Sequence, residues 1–259
     1  MGLSPALIAG VTVVVLVAGA VNGLAGFGFA LVGTMALASV IDPAVAVVFM
    51  ILPVMAVNLS LARDLSVDQL RTCGRRFAPL VAAALVGAVA GMAVLQRLPQ
   101  APLKAGLGLI TLAFVVTAQQ AAPIPLLTAT RDRCFVESRP AMAGVGAVSG
   151  LLFGGTNVGV QLVAYLRSCD LSHGLFVGVV AMVFLGLNGA RVAAAAALGL
   201  YPGLDVVAAS AAAAVPAVAG VAVGKRLRAR ASESRRRAVV LALLTLVGVR
   251  LLLAGAGIA

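Results

Sequence analysis

The chain has few of the residues that enzymes and metal sites commonly use. It contains one histidine, three cysteines and eight acidic residues in 259 positions. His173 lies in a predicted loop, and Cys73, Cys134 and Cys169 have neither C-x-x-C spacing nor histidine partners, which disfavours metal and disulfide sites. No nucleotide-binding loop, zinc motif or Gly-x-Ser-Gly sequence of an intramembrane protease is present. We therefore predict no enzyme activity and no cofactor.

Charge is also scarce, and what there is has mostly one sign. Charged residues make up 10% of the chain and hydrophobic residues 62%, a composition that belongs in a lipid bilayer. Asp205, at the very start of the run 203–224, is the one Asp or Glu within a long apolar run, so the carboxylate relay of many proton-coupled pumps is missing. The net charge of +11 favours cytoplasmic loops of a polytopic protein over binding of nucleic acid. Residues 1–23 resemble a signal peptide in length, but without a preceding basic residue we interpret them as retained.

What the chain does have is apolar runs. Two of them, 5–40 and 141–166, are interrupted by glycines. The 36 residues of the first would span about 54 Å as one helix, far more than a hydrocarbon core of about 30 Å. We predict a break at Asn22 to Gly28 between arms at 5–21 and 29–40. Six further runs have the length of one membrane span: roughly 44–62, 77–95, 105–121, 174–198, 203–224 and 238–257.

The two halves of the chain repeat their landmarks. At an offset of 127 positions, Asn22-Gly23-Leu24 falls on Ser149-Gly150-Leu151 and Gly28 falls on Gly155. Gly220-x-x-x-Gly224 occupies the place of Gly87-x-x-x-Gly91, a spacing that lets helices approach closely in lipid. We predict a first membrane repeat at 1–121, a cytoplasmic linker at 122–140 and a second repeat at 141–259. In duplicated transporters the binding site lies between the repeats, and we expect the same here.

The distribution of basic residues bears on the topology. If each broken segment is a re-entrant hairpin, 15 basic residues of the loops share one side and only Arg97 and Lys104 face the other. If each segment crosses once, the loops show no such bias. The positive-inside rule favours the first arrangement. We therefore predict an all-α polytopic membrane protein of two inverted repeats, each with a re-entrant segment and three transmembrane helices; eight crossings with parallel repeats are the alternative.

Helix breaks in a membrane attract small anions, because unpaired N–H groups and half-helix dipoles need a polar partner. The alternative role of the glycines at the breaks is tight packing of helices. The alternative role of the polar residues beside them is capping of the freed backbone groups. For Asn58 and Asn188, inside the spans, the alternative is a hydrogen bond between helices. The predicted binding residues are Asn22, Gly23, Gly26, Gly28, Asn58, Ser149, Gly150, Gly154, Gly155, Thr156, Asn157, Asn188 and Arg191.

Arg191 is the most unusual side chain in the chain. It lies within the predicted span 174–198 and shares a helix face with Asn188, three positions earlier. Two interpretations stay open for it: a counter-charge for a passing anion, or a side chain that snorkels to the membrane surface. Arg250, in the last span, has no polar neighbour and is interpreted as a snorkelling residue.

The pattern resembles a known family. Asn22-Gly-Leu-Ala-Gly-Phe-Gly-Phe29 and Ser149-Gly-Leu-Leu-Phe-Gly-Gly-Thr156 are similar to the glycine-rich segments of the sulfite exporter TauE/SafE family, also called the 4-toluene sulfonate uptake permease family. The resemblance implies a multi-pass plasma-membrane permease, bacterial or archaeal, for small sulfur-containing anions such as sulfite, sulfoacetate or thiosulfate. The chain departs from the family at Asn157-Val158-Gly159, where a proline-bearing stretch is often seen.

Two hypotheses about function follow. The first is a permease that exports or imports a small anion through a site between the two broken helices, with the anion and the lipid bilayer as partners. The second is a membrane scaffold or accessory subunit that transports nothing. The direction of flux, the coupling, a channel or carrier mechanism and homo-oligomerisation stay open at this stage.

Overall fold

The computed structural model describes residues 5–25, 28–62, 66–118, 138–169, 173–228, 230 and 232–258, and all regular elements in these ranges are helices. Their bounds are α1 Pro5–Ala25, α2 Phe29–Ala38, α3 Pro43–Phe49, α4 Ile51–Ala62, α5 Val67–Arg76, α6 Ala78–Arg97, α7 Gln100–Ala118, α8 Arg139–Thr156, α9 Val160–Ser168, α10 His173–Ala197, α11 Leu204–Arg228 and α12 Glu233–Gly255.

Within the described ranges, five helical stretches are long and apolar enough to cross a membrane: Pro5–Leu24, Pro43–Ala62, Ala78–Arg97, Gly178–Ala197 and Leu204–Arg228. The prediction of an all-α polytopic membrane protein is confirmed at this level. Of the other two predicted spans, 105–121 falls largely on α7 and 238–257 on α12. Residues 122–137 of the predicted linker lie outside the described ranges.

Large apolar side chains point outward, and small residues face the neighbouring helix. In α6, Val86 is 73% exposed, whereas Ala84 and Ala88 are fully buried. The same holds in α11, where Val215 is 74% exposed and Ala217 is fully buried. In water such a surface would promote aggregation, but in lipid it faces acyl chains while the small residues let helices pack closely.

Local sequence signals set several helix ends. Asp42 caps α3 by accepting hydrogen bonds from Ala44 N at 2.8 Å and Val45 N at 3.1 Å, as the Asp-Pro sequence predicts. Ser66 and Gln69 form a capping box at the start of α5, the short polar helix expected in that loop. Basic Arg75 and Arg76 lie in the last turn of α5, where they complement the helix dipole.

A proline divides the predicted span 44–62 into α3 and α4. Pro53 has no N–H to donate to the carbonyl of Phe49, four residues earlier, so that acceptor loses its helical partner. In the structure the hydroxyl of Ser210 donates to Phe49 O and replaces the missing donor. Both groups are buried, so this contact removes the cost of an unsatisfied carbonyl in a region without water.

The described residues form two compact units, each built from parts of both predicted repeats. The first unit takes its residues from Met1–Val57, Gln96–Ala118 and Ala195–Ala259. The second unit takes its residues from Asn58–Leu95 and Gln119–Ala194. The first contains helix pair α1 and α11, and the second contains helix pair α6 and α8. The division into repeats at 1–121 and 141–259 stays a prediction.

Glycines bring each of these helix pairs into backbone contact. In the first unit, a methyl group added at Gly19 or Gly23 would overlap the carbonyl oxygen of Ala217 or Val221. The glycines of α11 face α1 in the same way, so neither helix has room for a side chain at the contact. The close approach expected from the Gly-x-x-x-Gly spacing is therefore observed. The glycines concerned in α11 are Gly220 and Gly224.

The second pair repeats this arrangement. Gly150 and Gly154 of α8 face the carbonyl oxygens of Ala84 and Ala88, while Gly87 and Gly91 of α6 face the carbonyl oxygens of Ala147 and Leu151. Each α8 residue lies 131 positions after the α1 residue with the same contact, and the helix ends Ala25 and Thr156 differ by the same number. The contacts therefore support an offset one helical turn longer than the overlay at 127.

Candidate functional site

The second broken segment ends α8 with a left-handed residue. Asn157 follows Thr156 with φ 60° and ψ 12°, and its N–H donates to Phe153 O at 2.9 Å. Asparagine tolerates this conformation better than most residues, because its short polar side chain bonds locally. A proline, with φ fixed near −65°, could not occupy the position. The left-handed backbone at position 157 therefore excludes proline there.

Thr156 stabilises the turn between α8 and α9. Its hydroxyl donates to Leu152 O at 2.5 Å and accepts from Val158 N at 3.1 Å. The capping role considered for Thr156 is thus present in the structure. Gly159 then begins α9 without a side-chain cap, so the first N–H groups of that helix have no side-chain acceptor from the N-cap residue.

Arg191 does not snorkel to the surface. It lies in α10 and is 0% exposed, the largest of the fully buried side chains described. Its Nη1 donates to Asn157 Oδ1 and, at 3.0 Å, to Asn188 Oδ1. Its Nη2 donates to Gly154 O at 3.2 Å. The guanidinium group of Arg191 therefore links α10, through Asn188, to the C-terminal end of α8, through Asn157 and Gly154.

Aromatic rings support this guanidinium from one side. Arg191 Cζ lies 4.7 Å from the ring centroid of Phe153, within the range of a cation–π contact. Phe184 packs against Phe153 with centroids 4.9 Å apart. Gly159 leaves no room for a side chain, because an added methyl group would lie 2.5 Å from the Phe184 ring. The rings and the glycine thus hold the arginine beside the break.

The charge of Arg191 is only partly balanced by these contacts. The two amide oxygens and the carbonyl are neutral acceptors, so they satisfy N–H groups without cancelling a full charge. The C-terminal end of α8 contributes about half a negative elementary charge through its dipole. The described contacts thus place a buried guanidinium group beside the break, next to the amide groups of Asn157 and Asn188.

The first broken segment has no charged residue among its described positions. Gly28 precedes α2 with φ 101°, a left-handed conformation that favours glycine. The buried Asn22 of α1 accepts a hydrogen bond from Phe29 N at 3.4 Å and so bridges the break. Gly26 lies outside the described residues. The second arm begins at Phe29 as predicted, but α1 continues to Ala25, four residues beyond the predicted end of the first arm, so Asn22 to Ala25 are helical and the break is shorter than expected.

The other predicted binding residues have varied surroundings. Gly23, Gly150 and Gly154 face backbone atoms of the neighbouring helix, which gives them a packing role. Gly155 has slightly more room, since an added methyl group would lie 3.2 Å from Gly91 O. Ser149 of α8 is buried, and Asn58 of α4 is partly buried. For these residues a role in substrate binding stays a prediction.

The structure brings Asn157, Asn188 and Arg191 together, as well as the carbonyl of Gly154. Sequence reasoning did not select Phe153, whose ring contacts the guanidinium, or Phe184, which packs against Phe153. The signal available for Phe153 is its position within the glycine-rich motif, four residues before Asn157. An aromatic residue at that spacing from a polar break is a reasonable platform for a buried cation.

Comparison with known proteins agrees with this description. No curated protein and no solved structure gives a significant match to the chain. The family model for the sulfite exporter TauE/SafE matches residues 11–251. That family implies a membrane permease for sulfite-type anions, and its members are multi-pass transporters of the cell membrane. The chain belongs to the sulfite exporter TauE/SafE family.

Proposed function

We propose that this permease carries a small sulfur oxyanion or sulfonate, such as sulfite, and that the break between α8 and α9 binds it. Arg191 provides the positive charge, with Asn157 and Asn188 as its immediate supports. The observation that carries this proposal is the complete burial of Arg191 beside a broken membrane helix, with its guanidinium held by residues of the break. The family supplies the substrate class.

The chemistry of the cluster suits a sulfur oxyanion. A guanidinium group is planar and always charged, and it offers paired N–H donors that match two oxygens of one anion. The start of α9 lies two residues beyond Asn157, and N–H groups at a helix N-terminus favour negative charge. A bound oxyanion would offset the desolvation of Arg191 and satisfy backbone donors at the same time.

The proposed topology is two inverted repeats whose broken segments are re-entrant. The identical contact register in α1–α11 and α6–α8 supports a duplication. The excess of basic residues in one set of loops supports the hairpin arrangement. By length alone, the 21 residues of α1 could also cross a membrane, so the length of α1 does not favour either topology.

The energetics favour outward movement of an anion from a cell with a negative interior. One negative charge gains about 2.3 kcal/mol per 100 mV on leaving. Export on this argument needs no coupling ion. The lipid bilayer and the small anion are the partners we propose.

The direct test is flux of labelled sulfite into proteoliposomes under an imposed potential. Removing one partner of a buried charge pair costs about 3–5 kcal/mol, so Arg191→Gln should lower flux by about 100-fold or more. Arg250→Gln is the matched control, because Arg250 is an exposed arginine in the last apolar helix. Sulfite flux that is equal in Arg191→Gln and in the control would contradict the proposal.

A second variant separates loss of charge from loss of folding. Asn157→Asp keeps the size of the side chain and its contact with Arg191, but its carboxylate would neutralise the guanidinium. We expect normal insertion and unchanged or higher thermal stability, with flux reduced about as strongly as in Arg191→Gln. Full flux in Asn157→Asp would show that the buried positive charge does not bind the substrate.

The same variants distinguish a permease from a membrane scaffold. Bulky replacements at Gly154 would not separate the two hypotheses, because they would disrupt the contact with α6 in a permease and in a scaffold alike. Asn157→Asp leaves that contact unchanged. A scaffold would keep its assembly and show no flux in either the wild type or the variant.

A further inference from the structure

We infer that the C-terminal end of α11 binds an anionic phospholipid, with the phosphate of its headgroup at Arg226 and Arg230 and its acyl chains along the exposed face of the helix. The inference concerns the lipid around the protein and uses none of the residues at the break between α8 and α9. It therefore does not depend on which anion the permease carries.

Four basic side chains are exposed at this end of α11: Lys225, Arg226, Arg228 and Arg230. The first three lie in the last turn of the helix. The fourth lies in the turn that follows, where its N–H donates to Leu227 O at 3.0 Å. Between positions 225 and 237 the sequence contains seven basic residues and one acidic residue. A concentrated positive charge therefore lies at the end of an apolar helix.

The exposed face of α11 leads directly to these cations. The face toward α1 is buried and consists of small residues, as described above. On the opposite face Val215 is 74% exposed, and Ala219 and Ala222 are exposed as well. These three residues follow each other at intervals of three or four positions, so they lie on one side of the helix, and Arg226 continues the spacing. An acyl chain along this face would thus have a guanidinium group at its end.

The length of this face matches one leaflet of a bilayer. Val215 lies near the middle of α11 and 11 positions before Arg226. At 1.5 Å per residue this is about 16 Å, and half of a hydrocarbon core of about 30 Å is about 15 Å. With Val215 at the centre of the membrane, Arg226 lies at the level of the headgroups.

The chemistry of the surface fits a phospholipid better than a soluble anion. A phosphodiester presents two charged oxygens, which match the paired N–H donors of arginine. Clusters of about four to eight basic residues directly after a membrane helix attract anionic lipids. A free phosphate would make the same charge contact but would leave the apolar face unused. The cations and the face together therefore favour a lipid.

Native mass spectrometry of the intact protein in detergent measures this binding. Phosphatidylglycerol and phosphatidylcholine with identical acyl chains are titrated separately, so that the two lipids differ in headgroup charge. The test variant is Arg226→Gln/Arg230→Gln. The matched control is Arg71→Gln/Arg75→Gln, which removes two exposed arginines at the same spacing from α5. The exposed side chains described in α5 are all polar, so no apolar face leads to those arginines.

We expect the wild type to bind phosphatidylglycerol more tightly than phosphatidylcholine. Arg226→Gln/Arg230→Gln should weaken phosphatidylglycerol binding by about 30-fold, since each basic residue at a membrane surface contributes roughly fivefold. The α5 control should bind like the wild type. Arg226→Lys/Arg230→Lys keeps both charges and should retain most of the affinity. Inorganic phosphate at the same concentration as the lipid should not displace it.

Three results would overturn the inference. Equal loss of phosphatidylglycerol in the two glutamine variants would show that binding follows the net charge of the protein and not this surface. Equal affinity of the wild type for both lipids would show that the cations play no part. Displacement of the lipid by an equal concentration of inorganic phosphate would identify a site for a soluble anion.

Discussion

A single methyl group at Gly150 should destabilise the protein, whereas the same methyl group at Gly144 should not. Both glycines lie in α8, six positions apart. A Cβ atom at Gly150 would overlap Ala84 O and lie 2.7 Å from Ala84 Cα. A Cβ atom at Gly144 would have nothing within 4 Å. The two substitutions are chemically identical, so their difference isolates the contact between α8 and α6.

Two opposing effects determine how much each substitution changes the free energy of unfolding. Replacing glycine with alanine inside a helix gains about 1 kcal/mol of helix propensity. Overpacking costs about 1–3 kcal/mol, and here the upper part applies because a backbone carbonyl cannot move to another rotamer. Gly150→Ala should therefore lower the free energy of unfolding by about 1–2 kcal/mol, and Gly144→Ala should raise it by up to about 1 kcal/mol.

Thermal unfolding in detergent, followed with a thiol-reactive fluorescent maleimide, measures the difference. Cys73 and Cys169 are only 4% and 6% exposed, so they react when the second unit opens. The assay is best done in a Cys134→Ser background, which leaves these two reporters. At about 2–4 °C per kcal/mol, the two variants should melt about 2–12 °C apart. A Gly150→Ala midpoint equal to or above that of Gly144→Ala would refute the backbone-to-backbone packing of α8 on α6.

Two further predictions concern hydrogen bonds at irregular backbone. Ser210→Ala should lower the free energy of unfolding by about 1 kcal/mol, because it leaves Phe49 O without a donor. In a Pro53→Ala background, where residue 53 regains its N–H, the same substitution should cost less. Equal costs in a double-mutant cycle of thermal midpoints would contradict this prediction. Asn157→Ala and Asn157→Gly both lose the acceptor for Arg191, but alanine disfavours φ 60° and glycine does not. Asn157→Ala should therefore be less stable than Asn157→Gly by about 1 kcal/mol. Equal thermal midpoints of the two variants would show that the left-handed conformation is not required.

Much of the fold follows from local signals in the sequence. The Asp42 cap, the surface helix Val67–Arg76 and the break before Gly28 are all predicted from residue types whose effects act within a few positions. The interruption between α3 and α4 could be predicted by the same reasoning, since a proline inside an apolar run frees the carbonyl four residues earlier. Close packing through the Gly-x-x-x-Gly spacings is likewise predictable.

The alignment of the two halves could not be obtained from glycine positions alone. Gly146, Gly150 and Gly154 recur every fourth residue, so a shift of one helical turn again places glycine on glycine. The carbonyl that each glycine faces, such as Ala84 O for Gly150, and the ends of the two helices distinguish the offset of 131 from that of 127. The periodicity that makes the motif easy to find thus makes its register ambiguous.

The sequence predicts which residues form the candidate site better than it predicts how their side chains are arranged. A polar residue near a helix break is visible in a sequence, and so Asn157, Asn188 and Arg191 could all be selected. The burial of Arg191 could not, because a long side chain one or two turns from a helix end can equally reach the membrane surface. Its position depends on contacts with Phe153 and Gly154, from a helix more than 30 residues away in sequence.

The contacts between glycines and carbonyl groups also limit how the protein can move. A packed leucine can change rotamer and let its helix rotate, but a glycine against a carbonyl has no movable atom. We therefore expect α6 with α8, and α1 with α11, to travel as rigid bodies during a transport cycle. For an alternating-access mechanism, we expect the backbone changes to occur mainly at the turns, where Gly28 and Asn157 already have left-handed backbone.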